Sequence, residues 1–341
     1  MDTFPALPLS RRRELCLAAS AALGLDAASI EKDFWVCWTL RELFALPGIG
    51  QHLTFKGGTS LSKCWKIIER FSEDIDVVID RESLGFGGEQ APERAPSSKK
   101  RNAGIDALKA AAGKHVRDVL APALKNSIQS HLPDQQWRLT GDDDDPDAQT
   151  LLFEYPAAFP AGPYLRTSVK IELGARSDTD PSATPEIQPY LAEALPSELG
   201  PSVFTVRTVA PERTFWEKAM LLHEETFRES TGPKARLARH YYDLWCLIRA
   251  GIDDKALADP TLFSRIVAHR VVYFRKSKAV TDSLKPGTLR LLPADNQRAA
   301  WAQDYQAMRD TMFFGDAPTF DEILHTVGDF ERRFNQAAEK A

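Results

Sequence analysis

Cysteine is scarce. The 341 residues include 4 of them, Cys16, Cys37, Cys64 and Cys246, far apart and with no C-x-x-C pair. That excludes a disulfide framework and reads as free thiols in a reducing compartment. No His/Cys constellation suggests zinc, and no G-x-S-x-G marks a serine hydrolase. No apolar run is long enough to span a bilayer and nothing resembles a signal peptide, so a cytoplasmic location with no membrane partner is expected. An excess of positive charge is also missing. The formal net charge is −5, which gives no overall pull toward a polyanion, so any polynucleotide partner must meet a local basic patch. No internal repeat is present. The rest of the composition, 43% hydrophobic and 27% charged, is ordinary for a globular protein, and the length suits two domains or one domain with an appended lobe.

Against this background one stretch organises the chain: Phe55-Lys-Gly-Gly-Thr-Ser-Leu-Ser-Lys63, followed by Arg70-Phe-Ser-Glu-Asp-Ile-Asp76. The pattern predicts a short strand over residues 52–56, a glycine turn, a helix from about Thr59-Ser60, and a second strand. On an extended strand Asp74 and Asp76 project to one side and Ile75 to the other. Two carboxylates on one face can share one or two hard divalent cations, Mg²⁺ or Mn²⁺, as chemistry on nucleotide phosphates requires. Gly57 and Gly58 let the backbone approach a ligand closely, and the helix start would aim N–H groups at a phosphate. Thr59 and Ser60 can donate to phosphate oxygens. Lys63 neutralises phosphate charge or pairs with Glu69. Glu73 points away from the metal face, and Asp80 is a secondary candidate. The combination suggests nucleotidyl transfer from an NTP.

Upstream, Arg11–Arg13 opens a helix and reads as a solvated helix start rather than an RNA contact. A second helix over residues 26–46 is capped by Ser29. Its Glu31, Lys32 and Asp33 read as a solvated face or local ion pairs; the alternative packs them behind the site. Residues 83–104, including Lys99, Lys100 and Arg101, have loop composition, and a helix over residues 105–131 follows. The acidic run 141–147 reads as a solvated hairpin loop, not a metal site. Strands are expected over 150–155 and 165–173. In the second, Leu165, Thr167, Val169, Ile171 and Leu173 face one way and Arg166, Ser168, Lys170 and Glu172 the other.

A helical lobe follows. Pro211 starts a helix in which Phe215, Ala219 and Leu222 form an apolar line, with Lys218 at the core edge. A loop with Thr231-Gly-Pro233 precedes a helix over 236–250. There Arg236, Arg239, His240 and Asp243 offer a polar stripe suited to triphosphate, or an unremarkable surface. Residues 265–290 hold seven Lys or Arg, among them Arg270, Arg275, Lys276 and Lys278, with Tyr273 and Phe274 interleaved. They form either an RNA-backbone surface or a basic helix with core aromatics. A last helix spans about 320–338. The expected division is a nucleotidyltransferase domain over 1–205 and an α-helical lobe over 206–341.

The two quoted strings, with Ile30-Glu-Lys-Asp-Phe-Trp35 and Arg239-His-Tyr-Tyr-Asp-Leu244, resemble the AbiEii/AbiGii nucleotidyltransferase toxins, the MenT-like branch of the DNA polymerase β superfamily, over roughly residues 28–250. The resemblance implies an α/β (α+β) polymerase-β-like lobe with a mixed sheet, plus a mostly α-helical C-terminal lobe, with the NTP in the cleft between them. It implies a toxin of a toxin–antitoxin or abortive-infection (phage-defence) system, with an antitoxin encoded beside it and an RNA acceptor, tRNA in some members. It also implies a third acidic ligand on an adjacent strand, Glu172 or its competitor Glu154. By the same resemblance Lys218 binds nucleotide phosphates and Asp243 orients it or its basic neighbours. The alternatives are transfer of NMP or a phosphoryl group to a protein or small molecule, or a non-enzymatic module with a relic site.

Overall fold

The computed structural model of the chain describes residues 1–341 except 134–135, 161–165, 229–231, 275–276, 314–316 and 338–341, and the side chains of 310–311. Leu165, Thr231, Arg275 and Lys276 therefore lie outside the described residues. The chain forms two compact units. The first is Met1–Cys64 with Ser72–Val209, the second Trp65–Phe71 with Ala210–Ala341. A single cut at 205/206 misses the second unit's insertion of Trp65–Phe71, because that segment's partners lie far along the chain.

The first unit is built on a mixed seven-stranded sheet. In chain order the strands are β1 Leu53–Lys56, β2 Ile75–Ile79, β3 Arg138–Gly141, β4 Thr150–Glu154, β5 Ser168–Gly174, β6 Ser182–Ala183, β7 Glu186–Ile187, β8 Phe204–Thr205 and β9 Thr208–Val209. The sheet runs β3-β4-β5-β2-β1-β9-β6, and β7 pairs with β8 separately. β2 is antiparallel to β1 and parallel to β5. β5 keeps the expected alternation, with Val169, Ile171 and Leu173 buried.

Behind the sheet lies the helix Ala27–Phe44. Its N-cap is Asp26, whose carboxylate accepts from Ser29 N at 3.0 Å, so Ser29 is the donor and not the cap. Trp35 packs on Phe153 and Tyr155 of the sheet side and Trp38 on Phe153, while Phe34 packs edge-on against Trp35. Each such aromatic contributes about 1.5–3 kcal/mol by burial. Glu31, Lys32 and Asp33 are buried too, at 1%, 1% and 5% exposure, so the solvated-face reading fails. Each has long-range partners. Glu31 accepts from the N–H groups of Ala158 and Phe159, Lys32 donates to the Arg166 and Ser168 carbonyls and pairs with Glu73, and Asp33 pairs with Lys63. Buried charges persist where such partners satisfy them. Arg12, in the helix Leu9–Leu23, is likewise buried and donates to the Pro156 carbonyl.

The next helix starts at Ser98, capped by Ser97, so Lys99, Lys100 and Arg101 are helical rather than in a loop. The run continues through a π-turn at Val116–Leu120 into Ala121–His131. In the second unit the helices Pro211–Glu225, Arg239–Arg249, Pro260–Tyr273 and Phe320–Ala337 surround a core of Phe215, Trp216, Phe263, Phe330 and Phe334. Phe215, Ala219 and Leu222 are fully buried, as their spacing requires.

Candidate active site

The glycine turn after β1 is shaped by an acid. Gly57 sits at φ +84°, and a Cβ added to it would come within 2.0 Å of Asp76 Oδ2. Only glycine gives both that backbone and room for the carboxylate. The close approach expected toward a ligand is, at Gly57, an approach to Asp76. Gly58 follows in the seven-residue helix Gly57–Lys63.

The side chains expected to reach phosphate are committed elsewhere. Thr59 Oγ1 donates to the Asp74 carbonyl at 2.6 Å, and Ser60 Oγ donates to the Gly57 carbonyl at 2.8 Å. Lys63 is 5% exposed, with Nζ 2.8 Å from Asp33 and 3.5 Å from the Tyr190 ring centroid. The carboxylate that pairs with Lys63 is Asp33 rather than Glu69. The helix is packed inside the unit, so its first-turn hydroxyls and its lysine satisfy buried polar groups.

The sheet assembles what the turn does not. Lys56 on β1 is opposite Asp76 on β2, Asp76 is beside Glu172 on β5, and Glu172 is opposite Thr150 on β4. Paired residues share a face, so these four form one row. The neighbouring row, Phe55, Val77 and Leu173, is buried on the other face. Asp74 precedes β2 by one residue. Burial pushes the Asp76 carboxyl up to about 7; Lys56 opposes the shift, while Glu172, which also hydrogen-bonds to it, and Asp74 add to it. The Glu172 carboxylate is also 2.7 Å from Lys170 Nζ, on the same face of the strand. Glu154 is instead paired with Arg138 across the β3–β4 hairpin and stands opposite Ser168, away from this row. Glu73 turns to Lys32, as the alternation requires, and Asp80 accepts from Glu82 N in the turn after β2.

Lys56, Asp76, Asp142, Lys170, Glu172 and Ser177 line a cavity of 470 Å³. The acidic run is the β3–β4 hairpin loop, as expected, with Asp143, Asp144 and Pro146 exposed, and it also borders this cavity. Asp145 accepts from Thr150 Oγ1 and from the N–H groups of Asp147 and Gln149. Lys109 pairs with Asp147 at 2.8 Å, next to Gly113, where a Cβ would come within 2.3 Å of the Asp147 carbonyl oxygen.

A second constellation lies in the helical unit. Asp243 is 0% exposed and takes a bidentate bond from Arg70, Nε–Oδ1 2.7 Å and Nη2–Oδ2 2.8 Å, plus Lys218 Nζ at 2.7 Å. Burial alone would raise the Asp243 pKa, but Arg70 and Lys218 hold it far below the carboxylate range. Burial lowers the Lys218 pKa against the pull of Asp243. It also keeps His240 neutral, 3.5 Å from Lys218. Two buried cations thus share one carboxylate.

Arg70 is the residue that sequence reasoning missed, although it opens the quoted Arg70–Asp76 string. Arg239 begins its helix and acts on Lys218 and His240 through its charge. Arg236 does not join the stripe: it is an exposed turn residue at φ +65° whose N–H, with that of Ala238, is held by Asp304. In the basic stretch, Arg270 is bound to Glu224 and Tyr273 is 1% exposed, so those two belong to packing; Lys278, Lys285 and Arg290 are exposed.

The donor set fits a hard divalent cation. Asp76 and Glu172 are paired across adjacent parallel strands, Asp74 stands two residues before Asp76, and all the donors are oxygens. Among the described residues, the one set of three candidate ligands with atoms all within 4.8 Å of each other is Asp2, Glu42 and His131. There Arg41 already pairs with both carboxylates and offsets part of their charge.

No helix among the described residues is long and apolar enough to cross a membrane. No curated protein matches the chain. Among solved structures, MenT4, a nucleotidyltransferase toxin from Mycobacterium tuberculosis H37Rv, is similar over 94% of this chain and 92% of that one, at 18% identity and a TM-score of 0.41; so distant a likeness carries no weight here. The family described as "Nucleotidyl transferase AbiEii toxin, Type IV TA system" matches residues 38–326. The chain therefore belongs to the AbiEii nucleotidyltransferase toxins of type IV toxin–antitoxin systems.

Proposed function

We propose that this nucleotidyltransferase moves NMP from an NTP to RNA, with a tRNA 3′ end as the acceptor, in a Mg²⁺-dependent reaction that blocks translation. The observation that carries the reading is the pairing of Asp76 with Glu172 on adjacent parallel strands, with Gly57 packed against the Asp76 carboxylate. Asp74, Asp76 and Glu172 would hold the cation, Mg²⁺ or Mn²⁺. That ion supplies charge neutralisation at the transferring phosphoryl group. In the helical unit, Asp243 fixes Arg70 and Lys218 as a positive pair suited to an anionic group. Family membership implies an antitoxin partner; in this reading it is encoded beside the toxin, and the pair acts in the cytoplasm in phage defence.

The test is to incubate the purified protein with each α-³²P-labelled NTP, Mg²⁺ and total tRNA. Label on tRNA is expected, and it should disappear with Asp76→Asn. Label on protein instead, or on no RNA at all, would replace tRNA with another acceptor class. Label from the γ- but not the α-phosphate would point to phosphoryl transfer.

A further inference from the structure

Thr59, Ser60 and Lys63, the donors that the glycine motif offers at first sight, are all bonded within their own unit. The cations that face the carboxylate cavity are Lys56 and Lys170. Lys170 is held at 2.7 Å by Glu172. Lys56 stands at the end of the row Lys56–Asp76–Glu172, and its Nζ donates to Ser177 Oγ at 3.1 Å. Ser177 lies just past β5, so the strand that carries Glu172 also delivers this hydroxyl. The cavity wall carries more acids than cations, with Asp142, Asp144 and Asp145 added to Asp76 and Glu172. A polyanion can settle there only where cations offset that field.

We propose that Lys56 and Ser177 are the residues of the first unit that bind the nucleotide's phosphates, in place of the hydroxyls and lysine of the glycine turn. This rests on the reading of the cavity as an NTP–metal site. One divalent ion against Asp76 and Glu172, and the Lys56 ammonium beside Asp76, would give a phosphate oxygen two positive neighbours. The Ser177 hydroxyl is already within hydrogen-bond reach of that ammonium and can donate to the same oxygen. Lys56 is thus assigned to substrate, while Lys63 is a structural cation; the two lysines of one short motif are separated by what they touch.

The experiment measures two dissociation constants by calorimetry for each folded variant: one for each of the four NTPs with excess Mg²⁺, and one for Mn²⁺ without nucleotide. For Lys56→Met, NTP affinity should fall on the order of 10- to 100-fold, the loss of a charge-assisted contact. Mn²⁺ affinity should stay equal or tighten, because a like charge has gone from beside the cation. A residue that merely held the sheet together would weaken both. Lys56→Arg should restore NTP binding to within about fivefold, and Ser177→Ala should weaken it by about two- to fivefold. Ser60→Ala, which removes a hydroxyl bonded to Gly57, should leave the NTP constant unchanged.

Unchanged NTP affinity in folded Lys56→Met, or equal losses for NTP and Mn²⁺, overturns the proposal while leaving the NTP–metal reading standing. If Lys56→Met does not fold, Ser177→Ala decides: a weakened NTP constant supports the proposal and an unchanged one overturns it. A wild-type protein that binds neither Mn²⁺ nor any NTP overturns the underlying reading, and the proposal with it.

Discussion

At the scale of single residues, the site depends on contacts too close to tolerate one added atom. Gly57→Ala puts a Cβ where Asp76 Oδ2 sits and forces alanine to φ +84°. The expected cost is about 1–3 kcal/mol, with loss of RNA labelling because the carboxylate must move; thermal denaturation and the transferase assay read both. A variant with wild-type melting and activity would refute the contact. Asp243 gives a pH signature. Its pKa is held below that of the unfolded chain, so its contribution to stability is complete above about pH 4 and is lost as pH falls through the folded value. In urea unfolding, the stability gap between wild type and Asp243→Asn should be constant from pH 5 to 7 and narrow below about pH 4. A gap that widened on acidification would reverse the sign of the argument. Arg70 was within view in the sequence, but nothing local says that its partner is 173 residues away.

Among the elements, the helix Ala27–Phe44 does more than cover the sheet. Lys32 ties it to Glu73, next to Asp74, and Asp33 ties it to Lys63 at the end of the glycine-turn helix. The Asp33–Lys63 bridge is buried on both sides, so removing one partner strands a charge. Lys63→Met alone should destabilise by about 3–5 kcal/mol, and Lys63→Met with Asp33→Leu should recover much of that loss. A double-mutant cycle in guanidinium measures the coupling, and additive losses would count against it. The sequence marked this helix correctly by its apolar period. It misassigned Glu31-Lys32-Asp33 because a charged triplet looks solvated until the groups that satisfy it, on other segments and several of them more than a hundred residues away, are in place. The acidic hairpin loop is a similar case. Its turn residues predicted a loop, but its docking beside the cavity comes from contacts with Lys109, Gly113 and Thr150.

For the whole molecule, net charge sets the terms on which RNA can bind. With a net charge of −5, affinity for a polyanion must come from a few local cations. With Arg270 and Tyr273 packed away, Lys278 and Lys285 are two of the exposed cations of this stretch and the pair to test. Lys278→Glu with Lys285→Glu should reduce tRNA binding about tenfold or more at 150 mM salt and lower the salt slope by roughly 0.7–0.9 per lost contact. NTP affinity should not change. If filter binding shows an unchanged slope, the acceptor lies on another surface.

The chain's own order fixed a good deal before any folding was considered. Period-two alternation marked β5, the Gly-Gly pair marked the turn, and the spacing of Asp74 and Asp76 marked two carboxylates at the start of one strand, because each depends only on near neighbours in the sequence. Which cation serves which acid was decided by the tertiary structure. Lys56 and Lys63 are seven residues apart in one motif, yet strand register sets the first beside Asp76 and helix packing buries the second on Asp33. Glu172 likewise became the neighbour of Asp76, and Glu154 did not, through the pairing of β5 with β2. Register between distant strands is a property of the packed sheet, and no local pattern encodes it.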